Sequence, residues 1–263
     1  MNTSFIRDYY NNYDEDSRTQ SRHGAVEFIT NMKYIRAYVP QGGKILDVGA
    51  GTGVYSIALA MDGYDVHAIE LVEHNIDVFK AKLQSGGVTL PVEQGNALDL
   101  GRYADGSFDA VLLFGPLYHV YTQEDKLTIL REAKRVLKPG GHLFAAYCMN
   151  EAVVIQDAFR GDGSNMLHYL RSGMFTEDYH CISQPADLFE MVRLEDIDEL
   201  NREAGLRREK IVASDLFTSY IRDRIVNFSD EAYQVYVKYH LSICERPDLI
   251  GATNHSLDIL TKE

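Results

Sequence analysis

The sequence predicts an α/β protein built on a doubly wound, mostly parallel sheet of seven strands, and three observations carry that expectation. Residues 44–150 alternate five times between short apolar runs and helical periodicity. In KILDVGAGTGVYSIALA (44–60) an apolar run enters a glycine-rich turn and continues straight into a helix. Ala110 to Phe114 form a continuous apolar run, as a strand buried on both faces requires.

Ahead of the sheet lies an arm, residues 1–40. Ala25, Phe28, Met32, Ile35 and Val39 mark one face of a helix from about Arg22 to Val39. Tyr9, Tyr10, Tyr13, Arg18 and His23 precede or open it. They either line a ligand pocket or sit half buried on the core with their tips in water.

In the first strand Ile45, Leu46 and Val48 read as buried. Gly49, Gly51 and Gly53, with Ala50 between the first two, permit positive φ and let a ligand approach the backbone, and the helix that follows offers its free N–H groups. A dinucleotide fingerprint needs Gly-x-Gly-x-x-Gly, and the third position falls on Val54 or Ser56, so neither count fits. Asp47, at the carboxyl end of the strand, would repel a pyrophosphate and attract the ammonium of an amino-acid-bearing cofactor. These features favour S-adenosylmethionine over NAD. The string DVGAGTG resembles the first motif of class I S-adenosylmethionine-dependent methyltransferases, which implies their Rossmann-like fold, that cofactor and its product S-adenosylhomocysteine.

The second strand, in YDVHAIEL (64–71), ends at Glu70, 21 residues beyond Gly49, where a carboxylate can accept from both ribose hydroxyls. Leu71 would pack on the adenine. A helix from Glu73 to Leu83 and a third strand from Val88 to Glu93 lead to the turn QGNALDL. The family often has an acidic residue at the position of Asn96. The Asn96 carbonyl could still accept from the adenine amino group and the N–H of Ala97 or Leu98 could serve the ring, or Asn96 could simply form the turn.

Gly115-Pro116 ends the fourth strand, so Phe114, Leu117, Tyr118 and His119 are expected beyond its carboxyl end, facing the methyl group and its acceptor. His119 reads either as a general base, with Tyr13 and Tyr118 orienting the acceptor, or as a hydrogen-bonded structural residue. The strand lacks an Asn-Pro-Pro-Tyr motif, which argues against methylation of nucleobase amines. A helix from Glu124 to Leu137, the turn Lys138-Pro139-Gly140-Gly141 and a fifth strand, His142 to Tyr147, follow; RVLKPGGHLFAAY again resembles the family. More weakly, residues 194–214 fit a helix stopped by Gly205 and a sixth strand, and residues 254–263 a closing strand that family topology makes antiparallel.

The expected organisation is one domain over 1–263: a lid-like arm (1–40), a cofactor-binding core (41–150) and helical cap insertions (151–193 and 215–246). In the second insertion Ala232, Val235, Tyr236, Tyr239 and Ile243 predict the packed face of a helix from Asp230 to Cys244. The formal charge of −13, from 26 basic and 39 acidic side chains, opposes binding to nucleic acid or anionic membrane. Cys148, Cys181 and Cys244 are widely spaced, which indicates neither a disulfide framework nor a thiolate metal site and suits a reducing cytoplasm. No leader peptide or membrane-spanning run is apparent. The expected function is methyl transfer to an O, N or S nucleophile of a small molecule by in-line displacement, with no metal required. A nicotinamide-dependent oxidoreductase and a noncatalytic S-adenosylmethionine-binding protein are the alternatives.

Overall fold

The computed structural model describes residues 3–13 and 21–262, so Arg18 of the arm lies outside the described residues. Helix α1 (Ser4–Tyr10) precedes α2 (Arg22–Tyr38), whose N-terminus is capped by the Ser21 hydroxyl accepting from Gly24 N–H. Then come β1 (Lys44–Val48), α3 (Val54–Met61), β2 (Asp65–Glu70), α4 (Glu73–Gly86) and β3 (Val92–Gln94). The second half contains β4 (Phe108–Leu113), α5 (Gln123–Val136), β5 (Leu137–Met149), α6 (Ser164–Arg171) and β6 (Met191–Val192). It continues with α7 (Leu194–Ala204), β7 (Arg207–Ala213), α8 (Asp230–Ile243) and β8 (His255–Thr261).

The strands run in the order β3-β2-β1-β4-β5-β8-β7. The first five are parallel, and β8 is antiparallel to both neighbours. Successive residues of a strand face opposite sides of the sheet. Leu46 and Val48 of β1 therefore join Val111 and Leu113 of β4 under Leu127, Leu130 and Ala133 of α5 and Ile197 and Leu200 of α7. Ile45, Ala110 and Leu112 pack on the other side against Met32 and Ile35 of α2 and Leu59 of α3. Two apolar layers on a sheet buried on both faces are the doubly wound architecture.

Four local features differ from the sequence expectation. A two-residue eighth strand, β6, pairs with the end of β5, so the insertion after β5 returns to the sheet. β5 begins at Leu137 and absorbs the Lys138–Gly141 turn, accommodated by a register shift opposite Phe108 and Ala110. β3 is confined to Val92–Gln94. In α8, Val235 and Tyr239 are exposed, whereas Val237 and His240 are buried. The helix docks on α2 through Val237 against Val26 and through a polar contact, His240 Nε2 with Thr30 Oγ1 at 2.9 Å, which apolar periodicity cannot register.

Gly53 stands at the N-cap of α3 with φ +85°, and a Cβ there would lie 2.2 Å from the Phe79 ring of α4. Backbone strain and overpacking act together at this point, so Gly53→Ala is expected to cost about 2–4 kcal/mol. Denaturant unfolding measures it, and a midpoint equal to wild type would show that Phe79 can give way.

Candidate functional site

A cavity of about 470 Å³ opens beyond the carboxyl ends of the parallel strands and is walled on its outer side by α1, α2 and the segment after β7. One half is built by the turns after β1, β2 and β3. Gly49 takes φ +76°, and a Cβ on it would meet the Pro116 ring at 3.0 Å, so the glycine loop packs directly on the break after β4. A Cβ on Gly51 (φ +55°) would have nothing within 4 Å. Gly49, Ala50 and Gly51 line the cavity.

Gly53, Leu98 and Leu117, three of the expected cofactor contacts, are not among the residues that line it. Gly53 is required for the approach of α3 to Phe79, as above. Leu98 turns into the core and its N–H donates to Asn96 Oδ1 at 3.0 Å. Leu117 is 1% exposed in the main core cluster.

Two buried carboxylates face this half. Asp47 accepts the Ser56 hydroxyl at 2.6 Å, and burial pushes its pKa up to about 7, the Ser56 bond opposing and the nearby Glu70 charge adding to the rise. Glu70 accepts from Gly51 N–H and Val72 N–H, each at 2.8 Å, and from Asn75 Nδ2 at 3.4 Å. Burial raises its pKa against these donors. Leu71, Asn75, Asn96 and Ala97 complete the wall. Asn96 also forms the turn, through the bond from Leu98.

Phe114 marks the boundary with the second half, its ring 4.7 Å from that of Tyr55. Beyond it stand Tyr9, Tyr10, Tyr13, His23, Tyr118, His119, Cys148 and Phe189. Tyr118 donates its hydroxyl to the Phe114 carbonyl at 3.0 Å, and Tyr13 stacks on Tyr9 at 4.8 Å. His119 Nδ1 lies 2.9 Å from the Leu188 carbonyl, which can only accept, so Nδ1 carries the proton and Nε2 accepts from the Tyr10 hydroxyl at 3.0 Å. Burial lowers its pKa to about 4, the Leu188 bond opposing. His119 is thus a neutral imidazole with both nitrogens engaged, linking the arm to the segment after β5.

Sequence reasoning missed a second ionisable cluster in this half, formed by Glu27, Asp215 and His255. The antiparallel closing strand was its one available signal, since that topology puts the start of β8 beside the carboxyl end of β5, with Cys148 opposite His255. Asp215 Oδ1 accepts from Thr253 Oγ1 at 2.8 Å and from the N–H groups of Asn254 and His255 at 3.0 Å. Its Oδ2 receives His255 Nδ1–H at 2.8 Å and the Ser219 hydroxyl at 3.4 Å. Glu27 approaches Nδ1 to 3.7 Å. Burial alone would lower the His255 pKa, but the Glu27 and Asp215 charges and the Asp215 bond outweigh it and hold the imidazole well above its ordinary value. Asp215 is held low, because the His255 charge and the donors around it overcome its own burial.

Residues 46–145 match a family model described as a methyltransferase domain. The chain is 30% identical over 186 residues to a ubiquinone biosynthesis O-methyltransferase of Xanthomonas axonopodis pv. citri, covering 68% of this chain and 75% of that protein. A protein of the same description from Pseudomonas aeruginosa is 27% identical over 197 residues, covering 75% and 78%. Among solved structures, an S-adenosylmethionine-dependent methyltransferase of Thermotoga maritima superposes over the whole of both chains with TM-score 0.60 at 20% identity. Phosphoethanolamine N-methyltransferase 2 of Haemonchus contortus, solved with S-adenosyl-L-methionine, gives TM-score 0.58 at 18% identity over 98% of this chain and 60% of that one. These two share the fold.

Cutting the His119 link should loosen the arm. His119→Ala is expected to lose about 1–2 kcal/mol of stability for two hydrogen bonds and to speed amide exchange in residues 4–10 more than in the sheet. In wild type the depressed pKa makes the unfolded chain protonate first, so stability should fall as pH drops from about 6.5 to about 4. Hydrogen exchange unchanged by the substitution would place the docking of the arm elsewhere.

Proposed function

The chain belongs to the class I S-adenosylmethionine-dependent methyltransferases and transfers a methyl group to a small-molecule acceptor, and on that premise we propose how its cavity is divided. The observation that carries the division is the pairing of an open glycine loop with two buried carboxylates in one half, against an aromatic wall in the other.

S-adenosylmethionine, when bound, supplies an electrophilic methyl on a sulfonium that an acceptor lone pair takes by in-line displacement. The backbone of Gly49, Ala50 and Gly51 lies along the cofactor, and Asp47 holds its ammonium. Glu70 takes the ribose hydroxyls: Oε2, which accepts from Gly51 N–H, keeps lone-pair capacity, and on Oε1, which accepts from Val72 N–H, the long 3.4 Å bond from Asn75 can give way to a hydroxyl. Leu71, Asn96 and Ala97 form the adenine side, and Phe114 flanks the sulfonium. A cavity walled on one side by the described part of the arm favours alignment of the reactants.

On the acceptor side Tyr118 and Tyr13 orient an aromatic substrate, and His119 acts by holding the arm. The aromatic wall and the O-methyltransferase relatives support an oxygen acceptor. Residues 1–40 work as the lid, 41–150 as the cofactor core, and 151–193 and 215–246 as the cap, all within one domain. Val153, Phe189, Asp215, Ser219 and Arg222 of the two insertions reach the cavity.

Binding of an ammonium beside Asp47 favours the carboxylate over the carboxyl and releases a proton. Because the free carboxyl titrates near neutrality, adenosylhomocysteine affinity should rise as pH increases through about 7 and level off above it. Calorimetry in two buffers of different ionisation heat counts the proton, and a pH-independent affinity would remove Asp47 from the contact. Glu70→Ala should weaken adenosylhomocysteine binding by about 1.5–3 kcal/mol, as expected for hydrogen bonds to a charged group. Titration with NAD should give no heat of binding.

A further inference from the structure

We propose that His255 is the residue that takes the acceptor's proton, with Asp215 as the residue that positions it, and that the acceptor group is a weakly acidic hydroxyl. The inference rests on the methyl-transfer reading above and concerns the half of the cavity away from the glycine loop.

The geometry excludes His119 from the part, because its Nδ1 is committed to the Leu188 carbonyl and its Nε2 to the Tyr10 hydroxyl. His255 is built differently. Its side chain is 21% exposed, lines the cavity and stands 6.5 Å, ring to ring, from Tyr118. Nδ1 is directed into the protein by Asp215, which leaves Nε2 with a 3.5 Å contact to the Asn254 amide and the ring with a weak hydrogen bond to the Cys148 thiol, both of which a stronger hydroxyl partner can displace. A base oriented through one nitrogen by a buried carboxylate keeps the other for a proton in transit.

Asp215 is suited to positioning. Three donors fix Oδ1, so the remaining oxygen is turned toward His255 at 2.8 Å, with the Ser219 hydroxyl beside it at 3.4 Å. The next residue, Leu216, is held at φ +39° by a strained turn, its N–H donating to the Thr253 hydroxyl at 2.7 Å. That bonding pattern also argues for a proton, and against a metal ion, between Nδ1 and Oδ2.

The charged and titratable groups around the ring come from four directions: Glu27 from α2, Asp215 from the segment after β7 with Arg222 beyond it at the cavity wall, Cys148 from β5 and Tyr118 from the turn after β4. The two carboxylates strengthen the base, which brings it nearer to a phenol-like hydroxyl of ordinary pKa about 10 than a free imidazole would be. In the neutral imidazole, the form reached as pH rises through the raised pKa, Nε2 is unprotonated: the hydroxyl proton passes to it, the acceptor oxygen forms the new bond to the methyl carbon, and the carbon–sulfur bond breaks with its electron pair remaining on sulfur. The imidazolium then returns its proton to water.

The test uses histidine labelled with carbon-13 in the full chain saturated with adenosylhomocysteine, the His255 ring signal being assigned by its loss in His255→Asn. Its titration midpoint should lie above the ordinary histidine value of about 6.5, and Glu27→Gln, or Asp215→Asn where that variant folds, should lower it by about one unit or more. Catechol, 4-nitrophenol and tyramine, offered with isotope-labelled S-adenosylmethionine, should give methoxy products only, and His255→Asn should lower that rate by about 10²–10⁴ with adenosylhomocysteine affinity retained. A His255 signal silent between about pH 5 and 10, a midpoint indifferent to both carboxylates, N-methylated tyramine, or an undiminished rate in His255→Asn would each overturn the proposal. Failure of wild type to bind adenosylhomocysteine would instead overturn the methyltransferase reading beneath it.

Discussion

The placement of β1 beside β4 is the constraint on which the rest of the structure depends. The chain builds outward from β1 through β2 to β3, then returns to lay β4 on the other flank of β1 and β5 beyond it. The connections after β1 and β4 leave on opposite faces of the sheet, so a crevice opens between them that no helix can fill. Gly49 packs against the Pro116 ring across that crevice, where a Cβ would lie 3.0 Å from it, so a larger residue would hold the two loops apart. The cavity is thus a product of topology, and the side chains at its edge decide only what it holds.

Electrostatics divide the cavity further. Asp47 and Glu70, both almost fully buried, raise each other's cost of ionisation, and a cationic group between them and solvent relieves it. The opposite half carries Glu27, Asp215 and His255, in which an imidazole offsets part of the carboxylate charge. Between the two lies an aromatic zone, from Phe114 through Tyr118 to the tyrosines of the arm. Charges at both ends and apolar surface in the middle suit a cofactor with polar termini, and α1, which walls the aromatic zone, is fastened by the His119–Tyr10 bond.

Much of the core was legible because its elements are local. Each strand and helix between Lys44 and Val136 announces itself by its own periodicity, and Gly205 stops α7 with φ +63° as its position implies. The glycine loop was legible for the same reason: Gly49, Gly51 and the Asp47 carboxylate sit within a few residues of one another. Gly53 belongs to that string by spacing, yet its partner is Phe79, on another helix, so its actual duty was invisible. In α8 the apolar stripe was half right: Tyr236 and Ile243 pack inward, but Val235 and Tyr239 are exposed, and the buried His240 bonded to Thr30 lies outside the stripe.

By itself, then, the sequence determined the order of elements, the cofactor-binding turn and the carboxylates at the ends of β1 and β2, because each is written in contiguous residues whose spacing has one geometric reading. Tertiary structure alone decided the half of the cavity away from the glycine loop. Glu27, Asp215 and His255 are drawn from the arm, the segment after β7 and the start of β8, and they meet only because β8 runs antiparallel between β5 and β7 and brings its first residue to the cavity. The state of His119 was decided the same way: whether an imidazole is free to act depends on what reaches its two nitrogens, and both partners, Tyr10 and Leu188, lie far from it in sequence. Contacts of that kind leave no periodic trace, since nothing in the local chain encodes which distant group will fold against it.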